Sequence, residues 1–196
     1  MAAMRNSKRS RSLFRLIPGA TTMAAASGPA RACIMFVPAT LADVRYADVV
    51  VIGQINNYRI IRDEAFRKKM LASPNLSVDD RKTYTNPKTN LVTDYARFEI
   101  QVTDVLVGQA SKRVSATWRN STFGQPDQMA SGRYLIALRR PRSASPPLRG
   151  PSATILPSPD PRTLTVLQAP CSGAFIYDAE SKEALSIRKI LAAQRR

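Results

Sequence analysis

The positions of the two cysteines constrain this chain most. Cys33 directly follows Ala30-Arg31-Ala32, a small-x-small triplet of the kind that leader peptidases cut. Cleavage there would make Cys33 the first residue of the mature protein. Two cysteines in an exported chain are typically disulfide-bonded, so we predict a bond between Cys33 and Cys171. In the chain-entropy model, closing so long a loop is worth about 5 kcal/mol, and it would tie the mature N-terminus to the last third of the fold.

Residues 1–32 are predicted to be a cleaved signal peptide, and the mature protein to be secreted or periplasmic. The segment holds six basic residues and no acidic one, and its apolar stretch from Leu13 to Ala26 is interrupted by Pro18 and Gly19. An organelle transit peptide, which is also Arg- and Ser-rich and acid-poor, is the alternative. No other segment approaches the roughly 18 apolar residues that cross a bilayer, so no transmembrane segment is predicted.

The remaining residues, 33–196, are enough for a single domain with a core of its own. The whole chain has a net charge of +16, and removal of the leader leaves 24 basic against 14 acidic side chains, or +10. Such a balance favours an acidic surface or another polyanion as a partner. The alternative is that the charge serves solubility, because the basic residues are spread along the chain.

Five segments have the patterns of β-strands. The first, 48–55, is a continuous β-branched run in which Gly53 indicates a bend or bulge. The others, around 95–107, 113–119, 132–138 and from 164 towards Cys171, alternate apolar and polar residues or are short apolar runs. Strands of this length with turns between them predict a small closed or partly closed barrel. The side chains predicted to share its interior are Phe98, Ile100, Val102, Val114, Trp118, Tyr134 and Ile136.

Two long insertions and a C-terminal helix complete the predicted domain. Residues 62–92 are polar and are expected to hold a helix over Arg62–Leu71 and a second one that starts at Ser77. Residues 139–162 hold seven of the 14 prolines and several arginines, which predicts an extended, mobile, basic loop. The final helix is expected to be capped by Asp178. Its predicted buried stripe is Ala184, Ile187, Ile190 and Leu191.

The order of these elements resembles the netrin-like OB barrel of the tissue inhibitors of metalloproteinases. The segments that carry the resemblance are Cys33, Ala47–Gly53, Val105–Gly108, Gly132–Ala137, Cys171 and Phe175-Ile176. The resemblance spans residues 33–194 and implies a mainly β fold, a five-stranded OB-like barrel with a C-terminal helix. It also implies that Cys33 and Cys171 match one of the family's disulfides, and that the protein works by binding another protein.

The resemblance further implies a site at the mature N-terminus. In the inhibitors, the α-amine and carbonyl of the terminal cysteine chelate the zinc of the target protease, and a neighbouring loop packs into its cleft. The residues of this chain at the matching positions, the predicted partner-binding site, are Cys33, Ile34, Ser121, Thr122 and Phe123. Met35 and Phe123 stand where the family has two further cysteines. Phe123 is expected either to anchor the contact or to turn inward and fill the space of that missing disulfide.

Neither catalysis nor a cofactor is predicted. The chain has no histidine, which removes the usual general base and the commonest metal ligand, and it lacks the usual nucleophile, phosphate-binding and Cys-x-x-Cys motifs. Binding of single-stranded nucleic acid is the alternative function, because OB barrels do this with a basic groove and stacking aromatic rings. It is not favoured, because Phe98, Trp118 and Tyr134 fall on the apolar phase of their strands and Tyr95 at a strand edge.

Overall fold

The computed structural model describes residues 37–120, 125–150 and 159–194. It is mainly β, as predicted, with three α-helices and a short 3₁₀ helix over Leu41–Tyr46. The strands are β1 (Val49–Ile61), β2 (Tyr95–Val107), β3 (Arg113–Arg119), β4 (Arg133–Arg139), β5 (Leu164–Val166) and β6 (Ile176–Asp178). The helices are α1 (Glu64–Leu71), α2 (Val78–Thr85) and α3 (Lys182–Ala193). None of the described helices is long and apolar enough to cross a membrane.

All six strands belong to one sheet, in the order β1-β2-β3-β5-β4-β6. Strand β1 pairs with β4 as well as with β2, so the pairings among the first five strands return to their starting point and form a ring. Strands β3 and β5 are parallel, and the other neighbours are antiparallel. The short β6, which the sequence pattern did not predict, pairs with β4.

The predicted interior is confirmed as one hydrophobic cluster inside the ring. Phe98, Ile100, Val114, Trp118 and Ile136 are buried together, and Val102 and Tyr134 are half-buried against them. Alternation along β2 and β3 produces this result, because every second side chain of a strand points to the same face.

A second cluster lies on the other face of β1 and β4, under α3. Val50 and Ile52 of β1 pack with Leu135 of β4, and Ala184, Ile187 and Leu191 cover them from the helix. The predicted helix is therefore confirmed, with Ile190 at the edge of the cluster. Its predicted cap is wrong. Ser181 accepts the backbone N–H of Ala184, whereas Asp178 still pairs with Tyr134 as the last residue of β6.

Strand β1 is longer than predicted, and its pairing with β2 shifts at three places, the first between Val50 and Val51. The second shift lies between Ile52 and Gly53, where an added Cβ would lie 2.4 Å from the Gln101 carbonyl oxygen, so the predicted bend or bulge is confirmed. A third shift lies between Asn56 and Arg59, and Asn57 has a left-handed φ of 53°. Beyond Asn57 the strand continues to Ile61, past the end at Ile55 that the apolar pattern predicts.

Both insertions contain the predicted types of structure. In the first, α1 begins at Glu64 with Asp63 as its cap, two residues later than predicted, and α2 is capped by Ser77 as predicted. The described part of the second insertion contains no helix, and strand β4 ends at its first residue, Arg139. Its first half is nevertheless packed on the domain, because Leu148 is buried in the cluster under α3.

Asp48 and Gly150 show how this half of the loop is held. The Asp48 carboxylate accepts the N–H of Arg140 at 2.7 Å and the hydroxyl of Ser143 at 2.9 Å. A Cβ at Gly150 would lie 1.9 Å from the Pro170 carbonyl oxygen, so only glycine allows this approach. The loop is irregular, as expected of its prolines, but residues 140–150 lie against the domain.

Candidate functional site

The partner-binding residues predicted from the resemblance lie outside the described residues. These are Cys33, Ile34, Ser121, Thr122 and Phe123, and the predicted leader, 1–32, also lies outside. The disulfide between Cys33 and Cys171 therefore stays a prediction. Four residues after Cys33, Val37 donates its N–H to the Cys171 carbonyl at 3.0 Å and pairs with Ser172.

The residues that flank the predicted loop are firmly placed. The side-chain amide of Asn120 donates to the Leu91 carbonyl at 3.0 Å, and that of Gln125 donates to the Trp118 carbonyl. The Tyr58 hydroxyl donates to the Pro126 carbonyl at 2.9 Å. Because β3 and β5 are parallel, the chain after β3 and the chain that leads from β5 to Cys171 leave the sheet at the same end.

A different candidate site lies on the outer surface of β1, β2 and β3. Arg59 of β1 lies opposite Arg97 of β2, and in the next row Tyr95 lies opposite Arg119 of β3. Residues that are directly opposite on paired strands project to the same face of the sheet. Arg59, Arg97 and Arg119 therefore share one face, which we call the arginine face.

Part of the charge on this face is balanced by carboxylates. The Arg97 guanidinium lies 3.6 Å from Asp160, and that of Arg113 lies 3.9 Å from Glu99. These long, partly exposed ion pairs contribute little free energy. Arg59 is exposed and has no carboxylate within 4 Å among the described residues. The face is therefore cationic, and the carboxylates that partly balance it are those of Asp160 and Glu99.

Arg119 is the least compensated of these arginines. It is half-buried, and neither a carboxylate within 4 Å nor a hydrogen-bond partner for its buried Nε is found among the described residues. All 14 Asp and Glu side chains of the chain lie within the described ranges, so no acidic side chain elsewhere can serve. Burial lowers the pKa of Arg119, and the positive charge of Arg139 lowers it further.

The loop holds Arg139 in place beside β5. Its guanidinium donates to the Pro146 carbonyl at 2.9 Å and to the Ser145 carbonyl. Burial lowers the pKa of Arg139, which the negative charge of Asp48 partly offsets. Two cations thus repel each other in a partly dehydrated setting, where the interaction is stronger than in water. An anion bound at Arg119 would relieve this repulsion.

A buried ion pair fixes the helical insertion beside the arginine face. Both terminal nitrogens of Arg67 in α1 donate to the two carboxylate oxygens of Asp94 at 2.7 Å, and backbone N–H groups of Asp63 and Leu91 donate to the same carboxylate. Burial by itself would raise the pKa of Asp94, but these hydrogen bonds and the charge of Arg67 hold that pKa below its usual range. The start of α1 is thereby locked to the start of β2.

Sequence reasoning missed this face. Arg97 and Arg119 fall on the polar phase of the alternating segments that form β2 and β3, but their alignment depends on the register between strands, which no local pattern reveals. Arg59 lay outside the predicted first strand. No cluster of three or more Cys, Asp or Glu side chains that could hold a metal ion is found in the described part of the chain.

Comparison with known proteins adds no family assignment. No protein-family model matches this chain, and no curated protein matches it either. What the protein does must therefore be argued from its own residues.

Proposed function

We propose that this protein is an exported, non-enzymatic binding module built on an OB-like barrel, and that its arginine face binds an acidic partner. The ring of five strands around one hydrophobic cluster, with a helix packed outside it, supports the barrel. In OB barrels the ligand is commonly bound on the face of the second and third strands, between the first and the fourth interstrand connections. The arginine face has that position, beside the helical insertion and the Pro-rich loop.

The observation that carries the proposal is the uncompensated charge of Arg119. A half-buried guanidinium that is repelled by Arg139 and has no carboxylate beside it is electrostatically unfavourable in the unliganded protein. Its planar fork is suited to carboxylate, sulfate and phosphate groups. Arg59 and Arg97 extend the positive charge along the sheet, so an acidic polymer could contact all three strands.

The aromatic residues favour an acidic polymer over single-stranded nucleic acid. Among the aromatic side chains of β1, β2 and β3, Phe98 and Trp118 are buried in the interior of the five-stranded ring. Tyr58 stacks on Phe98, with the centroids of their aromatic rings 6.0 Å apart. Tyr95 is left as a half-buried ring on the arginine face. Sequence-independent binding of single strands uses several exposed rings for base stacking. A sulfated or carboxylated polymer needs charge and hydrogen-bond donors alone.

The test is a titration of the full chain with a heparin fragment, with an oligo-dT strand as the nucleic-acid comparison. The double variant Arg59→Gln/Arg97→Gln should weaken heparin binding and lower the slope of log affinity against log salt by roughly one per arginine. The matched control is Lys182→Gln/Lys189→Gln, which removes the same charge from exposed positions of α3. Equal losses in both variants would mean general adhesion, and tighter binding of oligo-dT would favour the nucleic-acid alternative.

A second candidate function, inhibition of a zinc protease by the mature N-terminus, is supported by Val37. Its hydrogen bond to the Cys171 carbonyl holds the chain close to the predicted disulfide partner of Cys33. A terminal amine fixed in this way could act as a zinc ligand. The processed protein should then inhibit a zinc protease, and one extra alanine ahead of Cys33 should abolish the inhibition. If both forms fail to inhibit, this candidate is wrong.

A further inference from the structure

A cleft of about 560 Å³ lies at the end of the arginine face, between the start of α1 and the ends of β1, β2 and β3. Its volume is within the range of roughly 300–1,000 Å³ that is typical of ligand sites. The apolar side chains along it come from three parts of the chain, namely Ile61, Val92, Tyr95 and Pro159. An apolar ligand body of moderate size would fit between them.

Three buried polar atoms in the lining make no hydrogen bond within the described residues: the hydroxyl oxygen of Thr93 and the guanidinium Nε atoms of Arg62 and Arg119. Arg62 Nε still lies 3.5 Å from a Glu64 carboxylate oxygen, so the two groups of interest are Thr93 and Arg119. A buried donor without a partner costs about 1–3 kcal/mol, and more if it is charged. Neither Thr93 nor Arg119 takes part in the Arg67–Asp94 pair that holds the helical insertion. Both groups are therefore available to a ligand.

The charges around the cleft limit the ligand to one negative charge. Arg62 is balanced by Glu64 at 3.5 Å, and Asp94 by Arg67, so Arg119 is the remaining cation among the described residues that line the cleft. The carboxylate of Asp63, which caps α1 by accepting the N–H of Phe66 at 2.9 Å, adds a negative charge. A dianion such as a phosphate monoester would be repelled by Asp63, whereas a monoanion next to Arg119 would neutralise the charge of that guanidinium.

We infer that this cleft binds a carboxylate carried on an apolar body, with Arg119 and Thr93 as its hydrogen-bond donors. The inference rests on the proposed function, because Arg119 belongs to both sites, and it names the acidic group that the arginine face would select. Such a carboxylate has two possible sources: a free small molecule with an apolar ring, or the C-terminus of a peptide that ends in an apolar residue.

The test uses benzoate as the probe and follows its binding to the full chain by calorimetry and by NMR shifts of Thr93 and Arg119. Benzoate should bind saturably and more tightly than phenyl phosphate. Arg119→Gln should weaken it at least tenfold, since hydrogen bonds to charged groups have this magnitude. Thr93→Val should weaken it several-fold, and Arg119→Lys, which keeps the charge without the fork, should be intermediate. Lys189→Gln, at an exposed position of α3 away from the arginine face, is the control and should change nothing.

The source of the carboxylate is distinguished by a tripeptide ending in phenylalanine, tested as the free acid and as the amide. Tighter binding of the free acid than of benzoate indicates a peptide C-terminus, and the reverse indicates a small molecule. Absence of benzoate binding, equal binding of phenyl phosphate, or binding unchanged by Arg119→Gln in a variant with native melting behaviour would overturn the inference. Heparin binding without benzoate binding would contradict the proposed cleft ligand alone. Benzoate binding without heparin binding would contradict the proposed polymer binding alone.

Discussion

The two sides of this sheet differ in what covers their outer surface. Outside β1 and β4, Ile52 and Leu135 are covered by α3, and both have 1% or less of their surface exposed. Outside β2 and β3, the residues in equivalent positions include the charged side chains of Arg97 and Arg119, which are only half-buried. Both sides share the same interior, so the difference lies in the outward-facing residues alone.

This difference separates the stabilising part of the domain from its candidate site. Strand β1 can be apolar at every position from Val49 to Ile52 because it is buried on both faces. Strand β3 has to alternate, because Trp118 points inward and Arg119 outward. The second side leaves polar groups without partners, and such groups in a cleft are typical of a binding surface.

The sharpest test of this difference compares two neighbours on β3. Trp118→Ala removes a ring with 9% exposure from the interior and should lower the free energy of unfolding by about 3–5 kcal/mol. Arg119→Ala, one residue further, should change it by at most about 0.5 kcal/mol. Urea denaturation of both variants measures this. Similar losses would mean that the outer side of β3 is part of the core.

The second test concerns the covered side. Ile187 of α3 is fully buried against the sheet, so Ile187→Ala should cost about 2–5 kcal/mol. Leu185→Ala is the control, because Leu185 is 45% exposed on the same helix and should lose little. A small loss at Ile187 would show that α3 does not contribute to the core.

A third test uses pH, because a buried ion pair anchors the insertion beside the arginine face whereas the residues under α3 are apolar. The pKa of Asp94 is lower in the folded protein than in the unfolded chain, so its contribution is complete above about pH 4 and is lost as the pH falls further. Hydrogen-exchange protection in α1, measured relative to the intrinsic exchange rate at each pH, should therefore fall in acid before that in α3. Asp94→Asn should remove the difference in pH dependence, and a parallel loss of protection in both helices of the unmodified protein would contradict it.

The smallest expected effect is at Arg119 itself. Arg119→Gln removes the repulsion with Arg139, so stability should be unchanged or slightly higher, by up to about 0.5 kcal/mol, in the absence of ligand. Thermal unfolding at low salt is the measurement, and Arg113→Gln is the control on the same strand. A clear loss of stability would show that Arg119 has a structural role.

The sequence predicts the interior well because inward residues follow a local rule. Alternation identifies Phe98 and Trp118 as core residues, and Ser77 is recognisable as a helix cap. What it misses depends on distant partners. The last part of β1 follows the polar Asn56 and Asn57 and is a strand because it pairs with β2. Ser181 replaces Asp178 as a cap because β6 pairs with β4. The lack of a carboxylate beside Arg119 likewise depends on which residues, distant in the sequence, lie near it in the fold.

The pairing at the far ends of β1 and β2 has a consequence for how the protein could diversify. Ile61 and Tyr95 are direct partners, so the whole helical insertion leaves and re-enters the sheet at adjacent points. The Arg67–Asp94 ion pair joins α1, near the beginning of the insertion, to the last residue before β2. Loop-closure entropy depends only weakly on length, so a replacement module of another size could be exchanged at this junction without disturbing the ring. Each exchange would change the wall of the cleft that the insertion forms, while Arg119 on β3 would stay in place.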